Sequence, residues 1–220
     1  MSPVDWRLWH DGYSDPDSAV SARLPVVQAR IRDFLTSRPD DELQVLSLCA
    51  GKGLDLLGAL SKHRGANRVK ARLVELDPDL AAAARTRAAQ DGLDRVEVIA
   101  GDASITDSFA GAVPADLVLA CGVFGNLSDE DVERTVKAMP QLCARHGVVI
   151  WTRHTWSPDL NPRIRQWFSE AGFKELTFDS PGPDAYAVGM NELQASPRPL
   201  PRATRLFTFN AAARRSPLHF

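Results

Sequence analysis

Two glycines, Gly51 and Gly53, stand in the run LSLCAGKGLDLL, directly after an apolar stretch, and Glu75 closes the next apolar stretch in LVELDPDL. Glycine lets a backbone turn sharply and lets a ligand approach without side-chain interference. Glu75 follows Gly53 by 22 residues, close to the interval at which an acid reaches a ribose in a strand–helix–strand unit. A carboxylate accepts two hydrogen bonds from a vicinal diol, which neutral side chains rarely match. Asp77, with Pro78 behind it, reads instead as the N-cap of the following helix. A dinucleotide turn would place a third glycine where Leu56 stands, and no GK[ST] follows Gly53. Both pyrophosphate patterns are therefore absent, and the pattern points to a nucleoside ligand without phosphates.

Proton chemistry has its best candidates further along, in WTRHTWSPDLNP. An imidazole with an ordinary pKa of about 6.5 is suited to taking a proton near neutral pH. His154 falls two residues past a predicted fifth strand, beside Trp151, Trp156 and Asp159, where a ligand crevice would open. The plainer reading of His154 is a loop histidine with a satisfied ring. His10, in the aromatic segment WRLWHDGY, is the second candidate base. Trp6, Trp9 and Tyr13 of that segment either staple an N-terminal helix to the body or form a lid that shuts out water. Tyr13, Phe124, Asn126 and Trp156 are the candidate acceptor contacts, with Phe124 equally readable as core. Arg153 is able to bind an acidic group, although most loop arginines are simply solvated.

The elements that would position these residues follow from apolar periodicity. Residues 1–40 read as helical, with Leu24, Val27, Ile31, Phe34 and Leu35 on one face, a break at Asp15–Pro16 and a stop at Pro39. Strands are expected at Gln44–Cys49, Ala71–Leu76, Val96–Ala100, Ala115–Ala120 and Val148–Thr152. Helices alternate with them: one through Leu54, Leu57 and Leu60, then Leu80–Gln90, Asp129–Met139 with Ser128 as N-cap, and Ile164–Ala171. That alternation predicts an α/β fold, a doubly wound and mostly parallel sheet with helices on both faces. Phe173–Phe178 and Tyr186–Leu193 have too short a connector for a helical crossover and should pair antiparallel. Pro197, Pro199 and Pro201 stiffen a link to a last expected strand, Thr204–Phe209. The chain reads as one domain of 220 residues: an N-terminal helical cap over 1–40, a cofactor-binding core over 44–193 and a C-terminal extension over 194–220.

The formal net charge of −2 argues against a broad nonspecific nucleic-acid footprint. Cys49, Cys121 and Cys143 are too scattered for a disulfide framework or a zinc site, so no metal is expected. They suit small buried residues of a reducing cytoplasm. No stretch approaches the roughly 20 apolar residues of a membrane span. A cytoplasmic protein without membrane partners is the expectation.

Taken together, the motifs resemble those of the class I S-adenosylmethionine-dependent methyltransferases, over roughly residues 44–193. LSLCAGKG looks like that family's first motif and LVELDP like its second. AGDAS resembles the adenine-binding turn after strand three, and CGVFGNLSDEDV the segment after strand four. The resemblance implies a seven-stranded sheet, S-adenosylmethionine as cofactor, and a cofactor site formed by Cys49, Ala50, Gly51, Gly53, Glu75, Leu76, Asp102, Ala103 and Cys121. Within it the glycine turn would pack on the methionine moiety and Glu75 would bind the ribose. Asp102 would accept from the adenine amino group, and the Ala103 amide would meet a ring nitrogen. Ser47 stands where the family's motif usually opens with an acid, and Cys49 where its first glycine falls. The [DN]PP[YFW] motif of exocyclic-amine methylation is absent, as is the glutamate pair of protein-arginine methylation. Methyl transfer to O or N of a small-molecule acceptor is therefore the expected function. The alternative is a non-catalytic protein that binds S-adenosylmethionine as a scaffold or sensor.

Overall fold

The computed structural model describes Asp15 and residues 18–39 and 41–209. Successive side chains of a strand point to opposite faces, and this alternation divides the core in two. In β1 (Leu43–Leu48) Val45 packs on one face while Leu46 and Leu48 pack on the other. Leu117 and Leu119 of β4 (Ala115–Ala120), with Val148 and Ile150 of β5 (Cys143–His154), join Val45. Val118, Ala120, Val149 and Trp151 join Leu46. Strands buried on both faces are near-continuous apolar runs, as parallel central strands require.

With β2 (Val69–Glu75), β3 (Val96–Ala100), β6 (Phe173–Asp179) and β7 (Tyr186–Leu193), the sheet has seven strands in the order β3-β2-β1-β4-β5-β7-β6. β1 to β5 are mutually parallel, and β7 lies antiparallel between β5 and β6. The strand order reverses between β1 and β4, which opens a crevice at their carboxyl ends.

Helices α1 (Ala19–Ser37), α2 (Leu54–Leu60) and α3 (Pro78–Gln90) cover the Val45 face. α4 (Asp129–Ala138) and α5 (Asn161–Glu170) cover the other. The starts of α3 and α4 are set by side-chain caps that satisfy first-turn amides. Asp77 Oδ1 accepts from the Asp79 amide at 2.8 Å and the Leu80 amide at 3.2 Å. Ser128 Oγ accepts from the Asp131 amide at 3.2 Å. α1 is tied to the sheet by Arg30, which donates to both oxygens of Asp179 at 2.7 and 2.8 Å.

Three expectations are corrected. β5 runs on to His154, which pairs with Tyr186, because β7 continues the ladder past the apolar run. Trp151 lies in the core, not on the crevice: its ring is fully buried and its Nε1 donates to Asn191 Oδ1 at 2.8 Å. Gly189 makes room for it, since a Cβ there would meet the indole at 2.2 Å. Residues 204–209 form no strand of the sheet. They make one antiparallel bridge, Ile105 to Arg205, and otherwise run as a strap across the β3–β4 connection and α4. Among the described residues no helix is long and apolar enough to cross a membrane.

Candidate functional site

The turn between β1 and α2 is built from left-handed residues. Cys49, Gly51 and Gly53 have φ of 50°, 55° and 68°, a region that favours glycine and costs other residues energy. Gly53 caps α2, where a Cβ would press Leu57 at 2.8 Å and Leu73 at 2.9 Å. Gly53 is thus required by packing as well as by backbone angle. The turn is locked to β2 through the Ala50 amide, which donates to the Val74 carbonyl at 3.0 Å.

Glu75, at the end of β2, is buried, and its two oxygens are divided between the turns. Oε2 accepts from the Gly51 amide at 2.7 Å and Oε1 from the Asp77 amide at 2.9 Å. Burial raises its pKa above the usual carboxylate value, against the pull of these amides. Leu76 beside it is 63% exposed, an apolar surface at the crevice rim that a planar base is able to cover. Asp102, after β3, accepts from the Ser104 amide at 2.8 Å through Oδ1. Burial alone would raise its pKa, but the Ser104 hydroxyl and amide and the Arg205 guanidinium together hold it below the usual value. Ala103 is buried behind it. Cys49 lies close enough to feel Asp102 and Glu75: burial first, then these two carboxylates, push its thiol well up, so it stays protonated. Glycine turn, strand-two acid and strand-three acid are therefore brought together around one crevice.

Sequence reasoning missed two residues there. Asp55, in the first turn of α2, has an Oδ1 shut off from solvent with no hydrogen-bond partner among the described residues. Burial raises its pKa, opposed by the charge of Arg23 and a hydrogen bond with Cys121. Arg23 comes from α1 and is 6% exposed. Cys121, one residue past β4, is buried, and its thiol is likewise pushed well up, first by burial and then by Asp55. An orphaned buried carboxylate oxygen beside a buried guanidinium is costly unless a ligand completes it. Nothing in the sequence pairs Arg23 with Asp55, because only the packing of α1 on α2 does so.

A second hollow of about 490 Å³ opens beyond β4 and β5, lined by Gly125, Asp129, Arg153, His154, Trp156 and Arg163 among others. His154 stacks on Trp156 with ring centroids 4.4 Å apart. Its Nδ1 is buried and unpartnered among the described residues. Burial, then the neighbouring Arg153, lower its pKa to about 4, against the opposing charge of Asp159. The ring is therefore neutral at neutral pH, and the ordinary histidine value does not apply. Arg153 is held in place by donating to the Phe124 carbonyl and pairs with Asp129 at 3.6 Å. The Asn161 side chain donates to the His154 carbonyl at 3.0 Å and fixes the strand end against α5.

The remaining candidates separate. Phe124 is fully buried and packs on Trp151 at 6.0 Å, so its ring belongs to the core and offers no acceptor wall. Asn126 is buried, and its Nδ2 donates to the Gly122 carbonyl at 2.8 Å, bracing the turn after β4. His10 and Tyr13 lie outside the described residues.

Residues 45–147 match the family model described as a methyltransferase domain. No curated protein sequence matches the chain. Among solved structures it is similar to an O-methyltransferase family protein from Burkholderia thailandensis, with a TM-score of 0.63 and 18% identity over 86% of this chain and 62% of that one. It is also similar to the CurJ carbon methyltransferase, with a TM-score of 0.66 and 15% identity over 86% and 58%. The magnesium protoporphyrin IX methyltransferase of Synechocystis PCC 6803, solved with bound S-adenosylmethionine, superimposes with a TM-score of 0.62 and 13% identity over 86% and 90%. The chain thus spans 62% and 58% of the lengths of the first two. Identities this low speak for the fold alone.

Proposed function

We propose that this chain, whose fold and matched core are those of a methyltransferase domain, is a class I methyltransferase that transfers a methyl group from S-adenosylmethionine to O or N of a small-molecule acceptor. The observation that carries the reading is the convergence of Glu75, Asp102 and the Cys49–Gly53 turn on one crevice, with Asp55 Oδ1 unpartnered among the described residues.

The donor set fits this cofactor at each end. Glu75 has acceptor capacity left for the ribose hydroxyls, since its two oxygens carry four lone pairs against the amides of Gly51, Asp77 and Leu76. Asp102 offers Oδ2, which carries one long 3.4 Å contact from Arg205, to the adenine amino group, with Leu76 as an apolar rest for the base. Asp55 matches the ammonium of the methionine end, a role that Ser47 is unable to fill. The cofactor, when bound, supplies an electrophilic methyl on a sulfonium.

What the chain itself must do is align the acceptor and exclude water. The hollow beyond β4 and β5 is of a size typical for small ligands. Trp156 supplies a flat face there, and His154 a neutral imidazole able to accept a proton from an acceptor hydroxyl or ammonium. With its pKa lowered to about 4, His154 is a weak base. Most of the rate then comes from alignment.

Incubating the protein with S-adenosylmethionine and a metabolite extract tests the reading. Formation of S-adenosylhomocysteine above a protein-free control supports transfer. Tight cofactor binding without any product across extracts contradicts it in favour of a scaffold or sensor.

A further inference from the structure

The strap over residues 203–208 carries one charged side chain to the adenine end of the crevice. The strap is anchored without that side chain. The Ala203 amide donates to Asp107 Oδ1 at 2.9 Å, the Thr106 amide to the Thr204 carbonyl at 3.0 Å, and the Leu206 amide to the Ser104 carbonyl at 2.8 Å. On its other side Arg134 Nε donates to the Leu206 carbonyl at 3.0 Å, and the Thr208 amide to Asp131 Oδ2 at 2.7 Å. Leu206 and Phe207 are buried in the core. Arg205, between these anchors, is half exposed and reaches back over the β3 turn. Its Nη1 donates to Ser104 Oγ at 2.5 Å and lies 3.4 Å from Asp102 Oδ2.

We propose that Arg205 is a positioning residue of the cofactor site, orienting Asp102 as the acceptor that distinguishes an adenine amino group from an oxo group. The inference rests on the cofactor reading above. Asp102 Oδ1 accepts from the Ser104 amide, and Oδ2 is the oxygen without a backbone partner. The guanidinium binds Ser104 closely and Oδ2 only loosely. It thereby limits rotation of the carboxylate and favours its charged form, while leaving Oδ2 with lone pairs to spare. An exposed ion pair contributes little to stability. That suits a residue whose work is orientation, and it makes the effect separable from folding.

The experiment is calorimetric titration of wild type, Arg205→Ala, Arg205→Lys and Asp102→Asn with two ligands. One is S-adenosylhomocysteine, and the other its hypoxanthine counterpart, in which an oxo group replaces the adenine amine. Wild type should prefer the adenine ligand, and Asp102→Asn should erase the preference. Arg205→Ala should bind the adenine ligand roughly 5- to 20-fold more weakly, a loss typical of one charge-assisted hydrogen bond. It should bind the hypoxanthine ligand within about twofold of wild type, and Arg205→Lys should recover part of the preference. Melting temperatures should stay together. Equal losses for both ligands, or no loss, overturn the role of Arg205 and leave the cofactor reading standing. A wild type that binds neither ligand overturns the cofactor reading, and this inference with it.

Discussion

The Glu75 carboxylate accepts a 2.7 Å hydrogen bond from the Gly51 amide, 24 residues earlier in the chain. Through its other oxygen it holds the Asp77 amide, so one buried side chain fixes the turns after β1 and β2 relative to each other. Glu75→Ala should therefore lower stability by about 1–3 kcal/mol even without ligand, because two amides lose their acceptor. Urea denaturation of the ligand-free proteins measures this. Equal midpoints would show that water replaces the carboxylate without cost, and that the residue serves a ligand only.

His154 gives a kinetic prediction. If its neutral ring takes the acceptor's proton, His154→Ala should lower the single-turnover rate by about 10²-fold, near the low end for a positioned base. Affinity for the cofactor should be unchanged. The ascending limb of the pH profile should lie near pH 4, where burial and Arg153 place the imidazole, rather than at its ordinary value. A loss below tenfold would leave alignment as the whole mechanism.

The same lowered pKa has a consequence for stability. The unfolded chain takes up a proton on this imidazole near pH 6.5, the folded chain only near pH 4. Between those values the unfolded state binds more protons, so stability falls as pH drops through the window. Wild type should lose up to about 2 kcal/mol more than His154→Gln from pH 7 to pH 4, less than the full shift because the ring is partly exposed. Thermal melts of the two proteins across that range check the sign. Parallel curves would show that the ring titrates as if free.

Asp55 is expected to read the amino-acid end of the ligand. Asp55→Asn should weaken S-adenosylhomocysteine binding about tenfold, a loss typical of a hydrogen bond to a charged group. 5′-Methylthioadenosine lacks that end and should bind within about twofold of wild type. Equal weakening of both would place Asp55 in the scaffold of the turn instead.

Much of this architecture is legible in the chain, for definite reasons. Asp77 and Ser128 announce helix starts because their oxygens satisfy first-turn amides, and both do so in the structure. The glycine turn and Glu75 are legible because a tight turn and an acid after the next strand form a local pattern. Phe124 and Trp151 illustrate the limit. Apolar residues at strand ends look alike in sequence whether they face a crevice or the core, and only the packing of α5 and β7 puts both in the core. His154 ends β5 because Tyr186 pairs with it, a contact no local pattern encodes. Arg205 reaches Asp102 across 103 residues of sequence for the same reason.

The central claim is that the crevice between β1 and β4 is a site for S-adenosylmethionine held through Glu75. Calorimetric titration of S-adenosylhomocysteine into wild type and Glu75→Gln tests it most directly. The account predicts saturable one-to-one binding to wild type and a loss of about 1–3 kcal/mol in the variant, since an amide replaces a charged acceptor of the ribose hydroxyls. Wild-type protein that releases no heat with this ligand, or a variant that binds it equally well, would contradict the account.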